Sequence, residues 1–279
     1  MAIAQPVGGD ALSNNHVDMH RIIACDPAAP VKSIAVNSDG TVDIIGLAAG
    51  GPLYVDVTTG RLVLNQPKYG GMYAYEASVD LTIDAQSVYH ALYGSNQGTL
   101  SGFTFTAGLR RSISSVAQNV AGVSIKINTS AAHNLSAGEI ITVQGTNTYD
   151  GVREVLTVES STQITVTGTY VATSTGALVR PDTLKASVGS AGVYLCSMSF
   201  TADTNNNVEF KFEMNINTTA QDNIVVEENF EVGSGYESLS TSGIITVAEG
   251  DYIWASCENN TGTQDINFRH GNINLVRLT

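Results

Sequence analysis

The ten residues Val208 to Asn217 read VEFKFEMNIN. Val208, Phe210, Phe212, Met214 and Ile216 alternate without a break with Glu209, Lys211, Glu213, Asn215 and Asn217. An extended strand turns successive side chains to opposite faces, so this segment has one apolar face and one polar face. The apolar face must be covered by a second layer, and the polar face is expected to meet water.

The same texture runs through the second half of the chain. TLKASV, AGVYLCSMSFTA, NIVVEENFEV, SGIITVAEG, DYIWASCEN, DINFRHG and NINLVRL read as strands around VEFKFEMNIN. Eight strands with turns between them suffice for a sandwich or jelly roll. No strand–helix–strand alternation appears, which argues against an α/β enzyme fold. Residues 109–182 differ: SIKINTS, EIITVQG, REVLTVES, QITVTGTYV and GALVRP are short strands at close spacing, with HNLSAGE and TYDGV as tight turns. That is the pattern of a small β-barrel.

The first part of the chain is different again. Residues 10–24 are the best helix candidate, with Leu12, His16, Met19 and Ile23 near one face and Asp10 or Ser13 as N-cap. CDPAAP follows as an extended link or turn. Two hairpins are then expected, one around Ser38-Asp39-Gly40 and one around Thr59-Gly60. Two short hairpins bury little by themselves and need a partner surface.

Only 14% of the 279 residues are charged, and 27 are Gly; Thr, Ser, Asn and Val are abundant. The surface is therefore built more from hydroxyls and amides than from ions. The net charge of −13 repels phosphate backbones and anionic lipid heads, so nucleic acid is a poor partner. The doublet Arg110-Arg111 reads as a solvated pair. No apolar run reaches the ~20 residues of a membrane span. The N-terminus lacks the basic and apolar regions of a signal peptide. Cys25, Cys196 and Cys257 offer neither a disulfide framework nor zinc spacing, and the last two sit in apolar strand patterns as buried thiols.

AGVYLCSMSF (Ala191–Phe200), GIITVAEGDYIW (Gly243–Trp254) and the terminal INLVRL (Ile273–Leu278) together carry a resemblance. They resemble the jelly roll of the tumour necrosis factor and complement-head superfamily, and more closely its version at the C-termini of tailed-phage fibre and other virion proteins. YAYEASVDLTI and LSGFTFTAG are similar to that family's first strands, so the barrel between them and the rest is expected to be an insertion. HNLSAGEIITVQGTNTYDG resembles small β modules of phage tail and baseplate proteins. LSNNHVDMHRIIACDPAAPVKSIAVNSDGTVDI resembles the leader of some phage fibre proteins.

The resemblance implies an all-β chain: an N-terminal arm at 1–68, the first jelly-roll strands at 69–108, the barrel at 109–182 and the remaining jelly roll at 183–279. It implies a homotrimer. Tyr194, Phe200, Phe210, Phe212, Trp254, Ile273 and Leu275 are the candidates for the core or the trimer interface. Leu12, His16, Met19, His20 and Ile23 are the candidates for anchoring to other virion proteins. Trimerisation triples the net charge and favours solubility.

Chemical motifs are few. His16 and His20 would share a helical face as zinc ligands do, but no third ligand is marked and the metalloprotease Glu is missing. Asp203, Asn205 and Asn207 open like a calcium loop. Val208 and Met214 then stand where that loop needs Gly and Glu, so a turn is the better reading. Glu227, Glu228 and Glu231 read as a solvated face. No GxSxG, P-loop or GxGxxG is present. The expectation is a non-enzymatic virion protein without cofactor or metal: a trimeric fibre or knob, assembled in the host cytoplasm, contacting a host-surface glycan through its polar loops. Alternatives are a head decoration or vertex protein, and a trimeric depolymerase or esterase.

Overall fold

A computed structural model describes residues 68–75, 79–83, 86–204, 207–231 and 235–278, together with the backbone of four short N-terminal strands. The chain divides into two units, Met1–Gln66 and Pro67–Thr279. In the first unit β1 (Ile34–Val36) pairs antiparallel with β2 (Val42–Ile44), and β3 (Leu53–Val55) with β4 (Leu62–Leu64). These pairs bracket Ser38-Asp39-Gly40 and Thr59-Gly60, as two hairpins built on glycine turns require. Leu12, His16, Met19, His20 and Ile23, and with them the expected helix over 10–24, lie outside the described residues, as does Cys25.

The second unit opens with five strands: β5 (Tyr69–Ala74), β6 (Val79–Leu81), β7 (His90–Ala91), β8 (Asn96–Gln97) and β9 (Phe103–Thr106). Six strands then form a closed barrel: β10 (Leu109–Val120), β11 (Ser124–Thr129), β12 (Ile140–Gln144), β13 (Gly151–Ser160), β14 (Gln163–Thr167) and β15 (Gly176–Arg180). Their order around the barrel is β10-β11-β14-β13-β12-β15, with β15 returning to β10. Ile125, Ile127, Ile141, Val143, Val155, Ile164, Val166 and Leu178 fill its interior.

The chain then completes the sandwich with β16 (Thr183–Ala186), β17 (Gly192–Asp203), β18 (Val208–Ile216), β19 (Thr219–Phe230), β20 (Glu237–Val247), β21 (Tyr252–Asn259) and β22 (Ile266–Arg277). Sheet A has the order β20-β17-β22-β5-β8, with β6 also on β22. Sheet B has the order β19-β18-β21-β16-β9, with β7 also on β21. From β17 onward the chain crosses to sheet B, back for β20, over for β21 and back again for β22. Crossing in this manner is what makes the sandwich a jelly roll. The last strand is central: Leu275 lies between Cys196 of β17 and Gly70 of β5.

The apolar positions of VEFKFEMNIN do what their spacing demands. Val208, Phe210, Phe212 and Met214 point into the space between the sheets and are buried there. Phe200 stacks on Phe212 at 5.6 Å, and Phe210 meets Phe230 edge-on at 5.7 Å. Tyr194, Cys196, Ile273 and Leu275 complete the same core. The buried Tyr194 hydroxyl donates to the Ser190 carbonyl at 2.7 Å, so its one polar atom is satisfied. Each such side chain contributes roughly 1.5–3 kcal/mol by leaving water.

The barrel sits at the tip of a hairpin. β9 and β16 pair antiparallel from Phe103↔Ala186 to Thr106↔Thr183, and every barrel strand lies between them in sequence. On the barrel, Arg110 and Arg111 are half-buried, not fully solvated. Arg110 donates to the Gln144 side chain at 3.1 Å and Arg111 to the Ala132 carbonyl at 2.8 Å. Barrel curvature brings these carbonyl and amide acceptors alongside the two guanidinium groups, and sequence adjacency does not foretell that.

Candidate functional surfaces of the sandwich

Sheet A has a face turned away from the core, and its residues follow from the register. Leu195 stands beside Ile244 on one side and Val276 on the other. The next rows are Ser242–Ser197–Asn274, Ser240–Ser199–Asn272–Tyr73 and Ser238–Thr201–His270. No Asp, Glu, Lys or Arg occurs in these rows, in a chain that carries 39 of them. Leu195 is 44% exposed, Ile244 56%, Val276 47% and Tyr73 45%. Tyr75, 67% exposed, packs its ring 5.2 Å from His270. Grooves of about 350 and 260 Å³ flank Tyr73, one reaching Tyr69 and Asn274, the other Tyr75 and Ser199. Clustered exposed apolar side chains without charges mark an interaction surface.

The sequence held a signal for this face. Tyr194-Leu195-Cys196, Ile244-Ile245 and Leu275-Val276 are adjacent apolar residues on strands that otherwise alternate. A strand apolar on both faces has to be covered on both.

Sheet B treats its outer face differently, because the barrel lies on it. Ile140, Val152 and Val179 of the barrel pack against Ala91, Tyr93, Tyr252 and Trp254 of the sandwich. Trp254 is fully buried there, and its indole N–H donates to the Asn217 carbonyl at 2.8 Å. Of the seven core or interface candidates, six lie between the two sheets and Trp254 lies in this joint, on the opposite side of sheet B.

The expectation that the polar face of VEFKFEMNIN meets water fails at two of its positions. Glu213 and Asn215 are each 1% exposed. Asn215 is satisfied by donating to the Ser256 hydroxyl at 2.8 Å.

The joint is fastened at its base by Asp182. Its carboxylate accepts from the Ser95 and Gly108 amides, each at 2.6 Å, and its own amide donates to the Leu92 carbonyl. Burial pushes this carboxyl up from the usual carboxylate range, against the pull of those two amides and of Arg180. Gly108 has no room for a side chain: a Cβ there would lie 2.5 Å from the Tyr93 Cβ and 2.8 Å from the Arg180 carbonyl. The Arg180 guanidinium grips the Ala107 and Asn134 carbonyls across the same hinge.

Beside the joint lies a group of charges. The Lys211 ammonium touches the Glu213 carboxylate and lies 3.9 Å from that of Glu258. Glu227, exposed on β19, is the cross-strand neighbour of Lys211. The Tyr89 hydroxyl faces the same carboxylates, and burial together with Glu213 and Glu258 raises its pKa. Burial pulls the Lys211 pKa down, but Glu213 and Glu258 outweigh it and hold the ammonium above its ordinary value. Among the described residues, no three His, Cys, Asp or Glu side chains are placed to hold a metal ion. Asn205 and Asn206, between β17 and β18 in sequence, lie outside those residues. Cys196 and Cys257 are free buried thiols; burial pushes Cys196 up to about 12 and Cys257 higher still.

No known protein family matches this chain, and no curated protein does. Several solved structures resemble it in part, and two of them follow. Eiger TNF from S. frugiperda is 9% identical with a TM-score of 0.29, over 61% of this chain and 93% of that one. A cycloalternan-forming enzyme from Listeria monocytogenes in complex with a pentasaccharide substrate is 11% identical with a TM-score of 0.22. It aligns over 57% of this chain, which spans only 20% of that enzyme's length. The jelly-roll assignment rests on strand order and register, not on these slight likenesses.

Proposed function

We propose that the chain is a non-enzymatic structural protein of a tailed-phage particle, working as a homotrimeric fibre or knob. The observation that carries this reading is the outer face of sheet A. Along the rows from Leu195 to Thr201 it carries no charge, it presents Leu195, Ile244 and Val276 to water, and it belongs to a chain of net charge −13. A second and third copy of the chain would cover it. The sequence resemblance to virion jelly rolls supplies the particle, and the paired strands of residues 1–66 supply a segment for attachment to it. The barrel projects from a hairpin tip and offers Ser-, Thr- and Asn-rich loops for weak glycan contact, which three copies would multiply.

Light scattering coupled to size exclusion at micromolar concentration tests the assembly. The expected mass is three times the 29.3 kDa of one chain. A stable monomer overturns the reading. Immunogold labelling of particles then separates a tail position from a head-decoration position.

A further inference from the structure

One strand of sheet A carries a row of rings. Residues 69–75 read YGGMYAY, and alternation along β5 turns Tyr69, Gly71, Tyr73 and then Tyr75 away from the core. From Tyr69 to Tyr75 the chain runs about 20 Å, at ~3.3 Å per residue. Tyr73 and Tyr75 are exposed and Tyr69 is half-buried. The grooves of about 350 and 260 Å³ lie on either side of Tyr73 and make one trough along the strand. Gly71 is the gap in the row. A Cβ there would lie 3.1 Å from the Asn274 Oδ1, so the absent side chain leaves the larger groove open.

The polar groups beside the rings are amides and hydroxyls. Asn272 is the cross-strand neighbour of Tyr73, and Asn274 that of Gly71. The Asn274 amide donates to the Asn272 side-chain oxygen at 3.0 Å, which ties the two grooves together. Thr99 lines the larger groove; Ser199 and Thr201 line the smaller. Among the described residues, no Asp, Glu, Lys or Arg lines either one.

These groups match an uncharged sugar. A pyranose ring has an apolar C–H face, which a flat aromatic side chain covers. Its rim of hydroxyls both donates and accepts, as amides and hydroxyls do in return. An apolar lining with a few placed polar groups is the usual make-up of a ligand site. A charged ligand finds no counter-charge in the trough. A peptide cannot add here as a strand, because Met72 and Tyr73 are already paired to β22 on one side and β8 on the other.

We propose that the trough along Tyr69, Tyr73 and Tyr75 binds a neutral, extended oligosaccharide. The site goes beyond the assembly reading, because every group in it comes from one chain. It asks of that reading only that copies meet over Leu195 and Ile244, on β17 and β20, and leave β5 open. The strand β5 lies two places from β17 in the sheet, about 10 Å away.

Saturation-transfer NMR on the whole chain tests the site. The probes are the linear tetrasaccharides of glucose, mannose, galactose and N-acetylglucosamine at millimolar concentration, with a sulfated tetrasaccharide as the charged comparison. At least one neutral sugar should receive transfer, and the sulfated one should receive none. Tyr73→Ala should weaken binding roughly tenfold or more, through loss of the central ring. Gly71→Ala, which displaces the Asn274 amide and removes no ring, should weaken it as well. Both variants should keep the wild-type light-scattering mass. The proposal is overturned if no neutral tetrasaccharide binds, if both variants bind as the wild type does, or if the sulfated sugar binds equally well. A fall in assembly mass on Tyr73→Ala would make the trough a contact between copies; the sugar site is then overturned and the trimer stands. A monomeric wild type that binds sugar through Tyr73 supports the site and overturns the trimer.

Discussion

The two sheets of the sandwich share one core and have opposite exteriors. Sheet A turns outward Leu195, Ile244, Val276, Tyr73 and a field of Ser and Asn without a charge. Sheet B turns outward Glu209, Lys211, Glu227 and Glu258, and where it is apolar, at Trp254 and Tyr252, the chain covers it with its own barrel. One exterior has its apolar part covered by the chain's own barrel; the other stays exposed in the single chain. An apolar patch is a demand for cover, and whether the chain answers it internally separates a joint from an interface.

The sharpest way to break the contrast is to charge sheet A. Leu195→Asp with Ile244→Asp should reduce the light-scattering mass from three copies to one. The far-ultraviolet circular dichroism should not change, because both side chains are already exposed in the single chain. Trp254→Ala should cost roughly 3–5 kcal/mol, since a fully buried indole leaves a hole between barrel and sheet. Calorimetry should register a fall in Tm of roughly 10 °C. Asp182→Ala strands the Ser95 and Gly108 amides at the hinge, at about 1–3 kcal/mol each, and should also speed amide exchange at Gly108. Glu227→Gln, on the exposed exterior of sheet B, should change stability by no more than about 0.5 kcal/mol and leave the mass of the assembly alone. Equal effects of the first and last substitutions on mass would erase the distinction between the two exteriors.

The sandwich core was legible from alternation alone. Phe210, Phe212, Tyr194 and Leu275 sit where a period of two places them, because strand geometry acts residue by residue. What lies beyond the second face was not legible. Glu213 and Asn215 read as solvated because alternation reports which side chains share a face, not what lands on it. Tyr89, on a segment laid along β21, reaches Glu213, and Ile140, Val152 and Val179 of the barrel cover the nearby Trp254, all far away in sequence. Trp254 was singled out correctly as a covered residue and its cover was not. The exposed row on sheet A left a fainter trace, the doubled apolar residues Ile244-Ile245 and Leu275-Val276, which a reading tuned to strict alternation passes over.

The hairpin that carries the barrel has a consequence for how the chain folds. Leu109 pairs with Arg180, so once the barrel has closed, its entrance and exit are held side by side. A floppy segment of that length would charge an entropic toll for bringing β9 to β16, growing with the logarithm of its length. The finished barrel instead behaves as a short rigid bend. Assembly in which the insert matures first would spare the sandwich its longest loop, and a two-residue turn grafted in its place should still let Thr106 find Thr183.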